Sequence, residues 1–474
     1  MLPPSVLIII ACIRPSDLNS LSQPSMPASA LYANRMSSTG DSVERYRAKI
    51  IQICCDPSHF ELMPANMKIL FLCTKYPDTL NESYLTSELA DAFSALGHEV
   101  TIICLQWSSK DRLAVSQLNF PSGVVAHFSK PKNYSRLGLL FERLSRWGLS
   151  SFFLGNKAID TLQQQRFDLV IAFAPLVPLA GLINKFLSTA DHSYAYVTDF
   201  FPIAARDIGL VPKGGIYRFA KWLENRLLFK FDAIGCMSAA NEKFLKNYYK
   251  LSDSCRVHVN PLWGTGKFAA TSSRSDVREK YGLPADKDII LFGGQLIEGR
   301  GLEEIIGASA LFEGLQSDPL ILVVGDGRMR HTIEHAVSMF PASLRLLKPM
   351  PRPEYLELAA ACDAGLVVTV ADTVVPTFPS KTIDYVRTGL PVLASIEEGT
   401  DFGQIVSDQG FGRAIIAGDS KRLHQAIVDI FEDRSALKKM REASERSAVE
   451  FFSVSRACQE IIYHTGLKRF NSVG

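Results

Sequence analysis

A chain of 474 residues is too long for one hydrophobic core, and a composition of 47% hydrophobic and 21% charged residues excludes a disordered polymer. The formal net charge of +2 gives no reason to expect nucleic-acid binding. The nine cysteines include no Cys-x-x-Cys, and several sit in apolar runs such as Phe71-Leu72-Cys73, which excludes a disulfide framework or a zinc site in favour of small buried hydrophobes.

No apolar run reaches the roughly 18 residues that a membrane-spanning helix needs. The run Val6–Ile13 has no basic flank before it and no small-x-small cleavage site after it, so a cytoplasmic location is expected. Through Pro15–Gly40, Ser, Pro, Met and Asn are scattered without period, and residues 1–66 are expected to be a disordered or misassigned extension. Met67-Lys68 then opens a continuous apolar run to Cys73, the pattern of a buried parallel strand. Leu85, Leu89, Ala92, Phe93 and Leu96 follow at helical spacing, Gly97 stops that helix, and His98–Leu105 enters a second strand. This β-α-β unit implies a right-handed crossover and a parallel sheet. Further strands are expected at Asp168–Phe173, Tyr194–Asp199 and Phe231–Ser238.

A second series begins at Asp288–Gly294 and continues through Leu320–Gly325, Ala364–Val368 and Pro391–Ala394, with helices at Leu302–Gly314 and Arg352–Ala361 between. Two successive series joined near 260–285 predict two doubly wound α/β domains, at 67–265 and 266–445. A terminal helix from Phe451 to Thr465, stopped by Gly466, lies in a last segment, 446–474, expected to pack back on the first domain.

Open parallel sheets bind ligands beyond the carboxyl ends of their strands, and three such ends of the second series carry chemistry suited to a nucleotide diphosphate. Gly293-Gly294-Gln295 leads to Gly299-Arg300-Gly301; the glycines admit a phosphate near the backbone and Arg300 offers a forked cation. A tight turn with a solvated arginine reads equally well from this loop alone. Asp326, between Gly325 and Gly327, is either a ligand contact or a helix cap. Ser380 reads as an N-cap, with the N–H groups around Lys381 and Thr382 turned to an anion and Asp384 placed to accept from ribose hydroxyls. The plain alternative is a capped helix with a solvated lysine.

These residues carry a resemblance. From Met67 on, the chain resembles the family-four retaining glycosyltransferases of the GT-B fold, two facing Rossmann-like doubly wound parallel-sheet domains. The matching stretches are Met67–Phe71, Leu96–Val100, Gly293–Gly301, Pro379-Ser380-Lys381 and Gly389-Leu390-Pro391-Val392. Asp199–Leu210 resembles the Asp-x-Phe-Pro segment of the fucosamine-transferase branch of O-antigen and capsule enzymes. Where the family has an Arg and a Lys, this chain has Gln295 and Arg300; where it has paired glutamates, this chain has Pro376 and Asp384.

The resemblance implies sugar transfer, with retention, from a nucleotide-diphosphate sugar (UDP-linked) of hexosyl or amino-deoxyhexosyl type. The acceptor would be a polyprenyl-diphosphate-linked saccharide at the inner face of the cell membrane. Asp199, Arg300 and Lys381 are the candidate catalytic residues. Gly293, Gly294, Gln295, Arg300, Asp326, Ser380, Lys381 and Asp384 are the candidate donor contacts, with no cofactor and no metal. Asp199 alternatively caps a helix beginning near Pro202. Basic and aromatic residues interleaved over 130–157 are expected, on the resemblance, to meet the membrane surface; an amphipathic helix packed on the sheet with a solvated basic face is the plain alternative. A GT-B epimerase and a non-catalytic nucleotide-sugar-binding scaffold remain the competing classes. A nicotinamide-dependent oxidoreductase is disfavoured because no glycine follows the first strand.

Overall fold

The structure is a computed structural model and describes residues 66–80, 82–106, 116–129, 157–207, 214–312, 314, 318–371 and 373–467. The expected extension, up to residue 65, and nearly all of the basic stretch 130–157 lie outside the described residues.

The first sheet has eight strands: β1 (Lys68–Cys73), β2 (Glu99–Leu105), β3 (Gln117–Asn119), β4 (Val125–Ser129), β5 (Phe167–Phe173), β6 (Ala190–Val197), β7 (Ala233–Cys236) and β8 (Arg256–Val259). Their spatial order is β3-β4-β2-β1-β5-β6-β7-β8, and only β3 runs antiparallel to its neighbour. Ile69 of the central β1 stands beside Val100 on one side and Leu169 on the other. Residues 69–73 are buried on both faces, which is why β1 reads as an unbroken apolar run and not as an alternation.

The second sheet holds β9 (Ile289–Gly293), β10 (Leu320–Val324), β11 (Leu344–Leu347), β12 (Ala364–Val368), β13 (Val392–Ile396) and β14 (Gly412–Ile416). The order β11-β10-β9-β12-β13-β14 is all parallel, and the direction of winding reverses between β9 and β12. Strands β3, β4, β8, β11 and β14 were not anticipated from the sequence. β3, β8, β11 and β14 are at edges or half-exposed, and β4, though buried between β3 and β2, carries His127 and Ser129 and so lacks the apolar run that marks a central strand.

The chain then returns to the first domain. Gly264 N donates to Phe452 O at 2.8 Å and Val454 N to Gly264 O at 3.2 Å. Helix Val454–Thr465, capped by Ser453 and stopped by left-handed Gly466, packs on helix Leu85–Ala95 and on β6, β7 and β8. One apolar cluster runs through both domains by way of Trp263, whose indole N–H donates to Leu85 O at 2.9 Å. Two cross-domain hydrogen bonds turn the carboxyl ends of the two sheets toward each other: Asn241 Nδ2 to Pro376 O at 2.7 Å and Ala240 N to Asp401 Oδ2 at 2.9 Å.

Candidate active site

The reversal of winding between β9 and β12 leaves backbone groups that no neighbouring strand can satisfy, since the two pair only at Ala364 with Ile290 and Gly365 with Leu291. Tyr385 fills the gap. Its buried Oη accepts from Gly293 N at 3.0 Å and donates to Leu291 O at 2.9 Å. Helix Lys381–Arg387 is thereby fixed at the crevice where this kind of sheet binds its ligands. Tyr385 was not singled out from the sequence, because a tyrosine inside a short helix carries no signal of a strand gap.

Lys381 opens that helix. Its Nζ sits 3.5 Å above the centre of the buried Phe292 ring and close against Gly294, where an added Cβ would lie 3.5 Å from it. Phe292 and the walls of the crevice strip water from the ammonium, although the residue keeps a narrow opening to solvent. Desolvation first, and the charge of Arg300 second, push its pKa down to about 7.

The loop after β10 braces the Gly293–Gln295 turn. Gly294 N donates to Val324 O at 3.0 Å, and Leu296 N to Asp326 O at 2.9 Å. Gly325 is required by this backbone-to-backbone packing, since a Cβ there would lie 2.0 Å from Gly294 O. Asp326 is exposed and its Oδ1 accepts the adjacent Gly327 N at 2.8 Å. It does not cap the following helix, whose N-cap is Met329.

Arg300 is exposed in the cleft and acts electrostatically on Lys381 of its own domain and on Asp199 of the first. Asp199 lies two residues beyond β6. Asp199 is exposed to the cleft; partial desolvation by the cleft walls raises its carboxyl pKa, and Arg300 works against that rise. No side-chain hydrogen bond to Asp199 is formed among the described residues, so it does not cap helix Ile203–Asp207. The structure thus brings Asp199, Arg300, Lys381, Gly293 and Gly294 to one place. Gln295 borders it, exposed.

Two expectations at the helix start need correction. Ser380 does occupy the N-cap, but its backbone is already helical and its side chain makes no capping bond. Thr382 N is turned to Pro379 O at 3.1 Å, so it does not face an anion. Asp384, expected to accept from ribose hydroxyls, takes Arg352 Nη2 on its Oδ1 at 2.8 Å.

Two buried glutamates escaped the sequence reading. Glu397 is 2% exposed and ties down the loop through Pro376, taking Thr377 N at 2.8 Å and Thr369 Oγ1 at 2.6 Å. Glu224 is equally buried, and burial pushes its carboxyl well above the usual range. Tyr249 Oη is 3.0 Å from Glu224 Oε2 and 3.2 Å from Phe201 O, in the loop that bears Asp199. With one hydroxyl proton, Tyr249 serves both only if the neutral Glu224 carboxyl donates to it while it donates to Phe201 O. The chain's Asp-x-Asp triplet, Asp286-Lys287-Asp288, precedes β9 at the opposite end of the sheet, with Asp288 paired to Arg434 at 2.5 Å.

Comparison with known proteins agrees with this geometry. Residues 83–262 match the Glycosyltransferase Family 4 model, and residues 273–447 match that of Glycosyl transferases group 1. With both sheets accounted for, the chain belongs to the family-four glycosyltransferases of the GT-B fold. Over 363 residues (72% of this chain and 86% of the relative) it is 26% identical to WcaI of Escherichia coli K12, named as a colanic acid biosynthesis glycosyl transferase. Over 266 residues (55% and 65%) it is 25% identical to WbjE of Pseudomonas aeruginosa, named as a glycosyltransferase. Among solved structures, sucrose-phosphate synthase of Thermosynechococcus elongatus superposes with a TM-score of 0.64 at 15% identity, covering 84% of this chain and 98% of its own. Anabaena HepE bound to UDP-glucose does so with 0.59 at 16% identity, covering 84% and 99%. The chain is a glycosyltransferase by the models that match both of its domains.

Proposed function

We infer that the enzyme moves a hexosyl or amino-deoxyhexosyl unit from a UDP-linked sugar to a polyprenyl-diphosphate-linked saccharide, with retention and without a metal. The observation that carries this reading is the placement of Arg300 within electrostatic reach of both Lys381 and Asp199. Lys381 stands against the glycine turn at the β9 crevice with Arg300 in electrostatic reach, which suits a diphosphate, and the Asp199 carboxyl lies in reach of Arg300 from the first domain. As the bond from the anomeric carbon to the β-phosphate oxygen breaks, its electron pair leaves with the nucleoside diphosphate. Arg300 and Lys381 offset that charge. The acceptor oxygen bonds to the same face of the sugar, and its proton passes to the departing phosphate. Asp199 orients the acceptor hydroxyl and steadies the positive anomeric centre.

The UDP-glucose complex of HepE supports a uridine donor, and the name of WcaI supports a surface polysaccharide as product. The fucosamine-type branch is proposed on the Asp199–Leu210 segment. No described helix is long and apolar enough to cross a membrane. A peripheral enzyme at the cytoplasmic face is the arrangement that suits such an acceptor. The test incubates purified enzyme with UDP-sugars and a polyprenyl-diphosphate saccharide, and follows the anomeric configuration of the product. Transfer with retention is expected. Epimerised donor without transfer, or UDP-sugar binding without sugar release, would overturn the reading.

A further inference from the structure

The helix Gly215–Leu228 has two faces of different chemistry. Its inner face buries Leu227 and Leu228 together with Glu224, the helix's one carboxylate. Its outer face presents Phe219 at 59% and Trp222 at 52% exposure, and Phe229, one residue past the end, at 51%. Positions 219, 222, 226 and 229 fall on one side of a helix. Arg226 stands 5.6 Å over the Trp222 ring, and Arg218 is exposed beside Phe219. On the neighbouring helix Ala239–Tyr248, Tyr248 is 41% exposed with Lys221 5.1 Å over its ring.

Large exposed aromatics side by side are unusual on a soluble surface, and here no acidic side chain of the helix interrupts them. Aromatic rings and the apolar stems of arginine and lysine settle into the boundary between headgroups and acyl chains, while their cations meet anionic phosphates. We propose that the outer face of Gly215–Leu228, with Phe229 and Tyr248, docks the enzyme flat on an anionic phospholipid bilayer. The inner face of the same helix carries Glu224, which with Tyr249 backs the Asp199 loop. Docking therefore holds the acceptor side of the cleft beside the lipid surface. This rests on the reading of a lipid-linked acceptor and supplies its missing contact.

The test measures co-sedimentation of the full chain with phosphatidylcholine vesicles, with and without phosphatidylglycerol. It is repeated for the variants Phe219→Ser/Trp222→Ser and Arg218→Glu/Arg226→Glu, with UDP affinity measured on each. The wild type is expected to bind only the phosphatidylglycerol vesicles, less tightly in high salt. Each double variant is expected to lose about tenfold or more in vesicle affinity, since each interfacial cation contributes on the order of 1 kcal/mol, with UDP binding unchanged. Vesicle binding equal in wild type and variants would overturn the proposal, as would wild type that ignores vesicles and instead forms dimers that the variants abolish. Absence of UDP binding in every form, with the vesicle results as expected, would count against the proposed reaction and leave the docking face standing.

Discussion

Glu88 of helix Leu85–Ala95, 1% exposed, lies 3.0 Å from Arg352 and 3.5 Å from Arg387, both of the second domain. Arg352 continues to Asp384, so four charges join the first domain to the helix that bears Lys381. Removing the buried member leaves two guanidinium groups short of their partner. Glu88→Gln is expected to lower unfolding stability by about 3 kcal/mol, read from urea denaturation with circular dichroism. A loss under 1 kcal/mol would mean the domains are held by the apolar cluster alone.

Lys381 sits near neutrality before any ligand arrives, because desolvation has lowered its pKa to about 7. A bound diphosphate favours the charged form and raises that pKa. UDP should therefore bind with proton uptake above pH 7, and more weakly at pH 8.5 than at pH 6.5. Calorimetry in buffers of different ionisation heat reads the uptake directly. Lys381→Met should bind weakly with no such dependence.

Arg300→Ala and Asp199→Asn test the two sides of the cleft separately. Loss of Arg300 should cut kcat by roughly 100- to 1000-fold, the scale of one preorganised charge at a developing anion. UDP affinity should also fall. Asp199→Asn should cut kcat while UDP affinity stays within about threefold, because in the proposed reaction this side chain serves the sugar and acceptor and not the diphosphate.

Gly325→Ala places a methyl group 2.0 Å from the Gly294 carbonyl, against backbone that cannot rotate away. The Gly293–Gln295 turn must move. Stability should drop by about 1 to 3 kcal/mol. UDP affinity, followed by fluorescence or calorimetry, should drop with it although residue 325 need not touch the ligand.

His258 gives the enzyme a pH-dependent stability. Its ring is buried, Nε2 is 3.0 Å from Tyr194 Oη, and His464 stacks on it at 3.7 Å. Desolvation, then the neighbouring His464, lower its pKa to about 3 from 6.5. The unfolded chain binds the proton at 6.5 and the folded one does not, so stability is lost as pH falls below 6.5. The loss should be about 2 kcal/mol between pH 6.5 and 5 from this group, at about 1.4 kcal/mol per unit. Melting curves of His258→Asn should show a shallower pH slope.

Central strands were readable from the sequence because being buried on both faces forces an unbroken apolar run, as in Ile69–Cys73 and Ile289–Phe292. Edge strands such as β3 and β14 were not, since half-exposed residues have no such constraint. The glycine turn, Arg300 and Lys381 could be singled out as candidates for a similar reason: a strand end proposed to meet phosphate needs small residues and fixed cations. Glu224 and Glu397 were not legible, because a charged residue in a helix or after a strand looks solvated until the fold buries it.

The order of apolar runs and punctuating glycines by itself determined two parallel α/β domains. It did so because burial and backbone conformation act locally on residue type. Only the tertiary structure decided that Asp384 is tied to Arg352, that Thr382 N is turned to Pro379 O, and that Arg300 comes within electrostatic reach of Asp199. Those relations join residues from 32 to more than a hundred positions apart or depend on how one turn closes, and they follow from how two sheets are set against each other. The proposed docking face follows the same division. The basic and aromatic residues of Gly215–Leu228 are plain in the sequence, but which of them point outward was settled by the side of the helix that the first sheet buries.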